Sequence, residues 1–103
     1  MSEYIALTET TYYILLSLYK PLHGYGIMQR AAELSGGRVR LAAGTLYGAL
    51  NALVDKGWIS LLPGEGRKKE YRLTPKGLEI LKKELARLRE LVASGDMVLK
   101  EEA

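Results

Sequence analysis

Apolar positions recur first at helical spacing. In "ETTYYILLSLY" the residues Ile14, Leu15 and Leu18, with Leu7 upstream, predict a helix that Thr8 can cap. Lys20-Pro21 ends it, because the residue before proline avoids helical torsions. A second helix is predicted over "HGYGIMQRAAELS", where Ile27, Ala31 and Leu34 share one face and Gly36-Gly37 follows as a C-terminal cap. The third runs through "LAAGTLYGALNALVDKGWI". Leu46, Leu50, Leu53 and Val54 are assigned to the core, and the helix stops at Gly57 after Lys56, a cation well placed at a helix C-terminus.

The period then changes. "WISLL" and "EYRLT" predict two short strands around "PGEGRKK", whose proline and glycines make it a hairpin loop. Thr74 and Pro75 suit the cap and first position of a last helix. Its residues Leu78, Leu81, Leu85, Leu88 and Val92 follow the alternating three-and-four spacing of a helix-pairing seam, widened by Ile80 and Leu91. Glu79, Glu84 and Glu90 alternate with Lys82, Lys83, Arg87 and Arg89 and are predicted to face solvent. From Ser94 the helix either continues or frays. The expected fold is mainly α with a small β-hairpin: a winged helix-turn-helix over residues 1–73 and a long dimerisation helix over 74–103, in one structural unit.

The third helix has an unusual outer face. Opposite its leucines stand Gly44, Thr45, Gly48, Asn51 and Ala52, and a glycine inside a helix costs about 1 kcal/mol relative to alanine. In a winged helix this element enters the DNA major groove, where small residues let the backbone approach base edges closely. Thr45 can meet a phosphate, a base or a thymine methyl, and Asn51 can pair with adenine through both groups of its amide. Tyr47, at the border, can pack its ring on the domain and aim its hydroxyl at a phosphate. Packing against a neighbouring helix would also favour small residues, so both explanations stand at this point.

Charge sharpens the choice. Of a net charge of +3, the segment from Gly36 to Arg72 carries seven basic residues against three acidic, while the flanking segments are near neutral. Arg38 and Arg40 precede the third helix, and Arg67, Lys68 and Lys69 sit at the hairpin, where they can contact phosphates. A basic turn can equally be a solubilising loop.

Other chemistry is thinly represented. There is no cysteine, so no disulfide or thiolate metal site can form, and the single histidine, His23, reads as a helix-start residue. No metal or cofactor is expected. Ser17, Ser35 and Ser60 have no evident base to activate them, and no enzyme signal survives. The longest apolar run, Tyr12 to Leu16, cannot span a bilayer, and the start of the chain lacks a signal-peptide pattern; the cytoplasm is the expected address.

Taken in order, "LTETTYYILLSL", "HGYGIMQRAAELSGGRVRLAAGTLYGALNALVDKGWI" and "RKKEYRLTPKGLEIL" resemble the PadR family of bacterial transcriptional regulators. The resemblance covers about Leu7 to Leu81 and is carried by "HGYGI", "GTLY" with "AL", and "YRLT" with the later glycine. It implies a homodimeric repressor that binds a palindromic operator in double-stranded DNA and pairs through its C-terminal helix. It also implies release by a small effector, aromatic in many members. Two departures stand out: Ala42-Ala43 replace the Ser or Pro often found before "GTLY", and the C-terminal helix lacks the tryptophan with which compact relatives sandwich planar drugs. Trp58 is instead predicted to pack under the wing. Tyr12 and Tyr19, seven residues apart on the first helix, are the candidate effector wall. An interaction module whose third helix and wing bind another protein is the competing class, disfavoured by the basic hairpin.

Overall fold

The computed structural model describes residues 6–64 and 69–101 of the 103-residue chain. In chain order it contains helix α1 (Glu9–Ser17), strand β1 (Leu22–His23), helices α2 (Gly24–Leu34) and α3 (Ala43–Asp55), strands β2 (Ile59–Leu61) and β3 (Glu70–Leu73), and helix α4 (Pro75–Glu101). Side chains from every helix and from the strands β2 and β3 meet in one core. Ile14 and Leu15 of α1, Ile27 of α2, and Leu46 and Leu50 of α3 are wholly buried there, with Trp58, Ile59, Tyr71 and Leu81 around them.

Helix ends follow local chemistry. The Thr8 hydroxyl accepts from the Thr11 amide at 3.1 Å and caps α1. After α2, Gly36 and Gly37 adopt φ of +63° and +88°, which non-glycine residues resist, and the Gly37 amide donates to the Ala32 carbonyl at 2.8 Å. Gly57, at φ +76°, ends α3 in the same manner, with the Trp58 amide reaching the Leu53 carbonyl. The Thr74 hydroxyl then joins two elements: it accepts from the Gly77 amide at 3.0 Å and donates to the Gly57 carbonyl at 2.6 Å.

The sheet has three strands in the order β1-β3-β2, all antiparallel, rather than the two of a bare hairpin. Leu22 pairs with Tyr71 and His23 with Glu70, while Ile59, Ser60 and Leu61 pair with Leu73, Arg72 and Tyr71. A two-residue strand carries no periodicity; it forms because β3 offers a free edge. His23 closes that strand and also caps α2, its Nδ1 accepting from the Gly26 amide at 2.9 Å.

Two expected surfaces are corrected. Val54 is 37% exposed, because it lies one residue beyond the buried line of Leu46, Leu50 and Leu53. Glu84, expected in solvent, is only 2% exposed. It falls on the stripe of α4 that packs on the domain, with Gly77 and Leu81. The Leu7 amide donates to its Oε2 at 3.1 Å, and Arg87 donates to both oxygens at 2.6 and 2.7 Å. These bonds, the Arg87 pair first, hold the Glu84 carboxyl below its ordinary range although burial pushes the other way. The result is a pin between α4 and the residues that lead into α1.

Candidate nucleic-acid interface

Helix α3 has two unlike faces. Leu46 and Leu50 have no exposure, while Gly44, Thr45, Gly48, Asn51 and Ala52 are exposed. A Cβ built on Gly44 or Gly48 would meet no described atom within 4 Å. Packing against a helix of the same chain therefore does not account for these glycines. The start of α3 is equally open: Ala42 makes no side-chain cap bond and the first turn holds no acid. Such an end, with free amides and the positive pole of the helix, attracts anions such as phosphate.

Tyr47 is turned differently from the other outer residues. Its ring leans toward α2, and its hydroxyl oxygen fills the space beside Gly24 where a Cβ would stand. The hydroxyl of Tyr71 on β3 is raised in pKa by burial first and by the Tyr47 phenol second.

The basic residues have separate environments. Arg38 is exposed and pairs with Glu9 of α1 at 2.7 Å, a surface contact of small energetic weight. Arg40 is exposed, its guanidinium lying over Gly37, and Lys69 is exposed just before β3. Arg67 and Lys68 lie outside the described residues. Lys56 stacks over the Trp58 ring at 4.7 Å, and the tryptophan is buried in the core of its own chain.

The remaining candidates divide. Of the seam, Leu81 belongs to the core of its own chain, Leu78 and Leu88 are half-buried, and Leu85 and Val92 are exposed. Beyond Leu88 every described residue of α4 is exposed, and the helix runs on to Glu101 without a break. Tyr12 and Tyr19 do not form one wall. Helix α1 ends at Ser17, so Tyr19 leaves the helical face; Tyr12 is half-buried, edge-on to Tyr13 at 5.6 Å. Tyr19 lines an open groove with Arg72, Leu73, Thr74, Pro75 and Leu78. Sequence reasoning missed Gly24 as the seat of Tyr47 and Glu84 as a pin; only the spacing of Glu84 from Gly77, Leu81 and Leu88 hinted at the latter.

A helix-turn-helix followed by a wing, with a bare glycine face on the second helix of the pair, defines a winged-helix DNA-binding regulator. Comparison with known proteins agrees: residues 13–83 match the Transcriptional regulator PadR-like family, and the chain belongs to that family. Its members are transcription regulators rather than enzymes. A PadR-like transcription factor from Bacteroides fragilis is 30% identical, with TM-score 0.72, over 85% of this chain and 87% of that one. A PadR family transcriptional regulator from Eggerthella lenta is 25% identical, with TM-score 0.70, over 86% of this chain and 80% of that one. A PadR family regulator from Clostridium difficile shares the fold at TM-score 0.75 and 24% identity, over 89% and 99% of the two chains. An uncharacterised 37.1 kDa protein in a transposon of Streptomyces fradiae is 44% identical over 64 residues, which are 62% of this chain and only 18% of that longer protein. Among the described residues no helix is long and apolar enough to cross a membrane.

Proposed function

We propose that the chain is a cytoplasmic, dimeric repressor whose α3 reads a palindromic operator. The observation that carries this reading is the outer face of α3, where two glycines stand with no internal reason and leave the backbone open to a groove. Thr45 and Asn51 supply the base contacts, while Arg38, Arg40, Lys69 and the wing residues Arg67 and Lys68 supply phosphate contacts. Pairing through α4 is supported by the bare apolar residues from Leu85 onward, which a lone chain would leave in water. Release by a small effector rests on family membership, and the Tyr19–Arg72 groove is the surface offered for it.

Fluorescence anisotropy with the DNA upstream of its own gene and a scrambled duplex, at two salt concentrations, tests the reading. Selective binding that falls steeply with salt is expected. Equal weak binding to both duplexes would overturn it and favour a protein partner. Asn51→Ala should reduce discrimination by about 1–3 kcal/mol, while Arg67→Ala weakens all sequences alike. In sedimentation, Leu85→Glu should yield monomers; an unaltered dimer would mean that the seam does not hold the two chains together.

A further inference from the structure

Gly24 opens α2 directly behind the His23 cap, and it is buried. Its φ is not positive, so its backbone would accept any ordinary residue. What excludes a side chain is Tyr47. A Cβ at Gly24 would meet the phenol oxygen first, then Cζ at 2.8 Å and Cε1 at 3.3 Å. The ring thus arrives from α3 and rests on the first residue of α2. The two residues before Gly24 form β1, paired with Tyr71 and Glu70 of the wing strand β3. Tyr47 therefore rests on the residue that directly follows β1, the strand that joins α2 to the wing strand β3. A phenol has only two rotatable bonds, so a seated ring holds its helix with little freedom.

We propose that Tyr47 is a positioning residue: seated on Gly24, it fixes how the outer face of α3 is presented relative to the wing, and so acts on DNA selectivity without touching DNA. This rests on the DNA-reading role of α3 given above. A phosphate contact from Tyr47 would behave otherwise, since losing it weakens every sequence alike and leaves the ratio of selective to scrambled affinity unchanged.

The test uses the full chain with Gly24→Ala, Tyr47→Ala and the double variant. Affinities for the selective and scrambled duplexes are measured over a salt series, beside urea unfolding of each protein. Each single variant should lower the ratio of selective to scrambled affinity about tenfold, with the salt slope unchanged. The double variant should be no worse than Tyr47→Ala alone, because Gly24→Ala acts only by unseating the ring. Tyr47→Phe, which removes the atom closest to the new methyl, should restore part of the selectivity of Gly24→Ala. Additive losses would overturn the proposal, as would equal weakening on both duplexes. If the unaltered protein fails to distinguish the duplexes, the DNA reading itself fails. The unfolding cycle then judges the seat alone: coupling between positions 24 and 47 sustains it, and independence refutes it.

Discussion

Four of the six glycines in the described helices fall into two pairs with opposite reasons for being glycine. At Gly24 and Gly77 the place of a Cβ is already taken, by the Tyr47 phenol in one case and by the Trp58 carbonyl in the other. At Gly44 and Gly48 nothing described lies within 4 Å. The first pair is dictated by how the chain packs on itself. The second has no such cause, yet Gly48, in the middle of α3, carries the full cost of a helical glycine. A surface that is costly to the fold and useless to its packing is what the proposed approach of α3 to a DNA groove requires.

The sharpest way to break the comparison is at Gly77. A methyl there would push into the Trp58 backbone carbonyl, which also accepts from the Thr74 amide at 3.0 Å and cannot swing aside as a side chain can. Gly77→Ala should destabilise by about 3 kcal/mol in urea unfolding. A loss below about 1 kcal/mol would mean that the junction of wing and α4 is loose.

Next in size is the pin beside it. Glu84→Ala removes an acceptor from both Arg87 and the Leu7 amide and should cost about 2 kcal/mol. Its pH dependence has a definite sign. The folded carboxyl lies below its ordinary value of 4.5, so its contribution is complete above that pH and disappears as pH falls through the lowered folded value. The stability gap between the unaltered protein and Glu84→Gln should therefore be constant from neutral pH to about 5 and close in more acid solution. A gap that ignores acid would show that the carboxylate charge contributes nothing at this site.

These two residues also mark where the sequence was legible and where it was not. Helices with strong apolar spacing and chemical caps were readable, because Thr8, Gly36-Gly37, Gly57 and Thr74 act through bonds within a few residues. The outer face of α3 was readable from residue size alone. Glu84 was not, because a charged side chain among lysines and arginines looks like surface until the Leu7 amide, distant in sequence, is brought to it. Strand β1 escaped for a similar reason: two residues acquire their pairing only from β3. Leu81 and Leu85 are successive members of one seam, yet one is core and the other bare, since periodicity defines a face and not what covers it. Gly24 could be explained only after a ring from another helix was placed on it.

The smallest effect is the most discriminating. Gly48 sits in the middle of α3, where the full preference for alanine applies, and a methyl there meets no described atom. Gly48→Ala should raise stability by about 1 kcal/mol. The same methyl would stand between the α3 backbone and the groove, so affinity for the selective duplex should fall even as the fold tightens. Stability and binding moving in opposite directions is an outcome that ordinary packing defects do not produce, because they lower both. If Gly48→Ala gained stability with no loss of DNA affinity, the helix would not approach DNA along this line and the bare glycines would have no binding explanation. If it lost stability instead, something would pack against Gly48 in solution, and a second copy of the chain would be the first partner to examine.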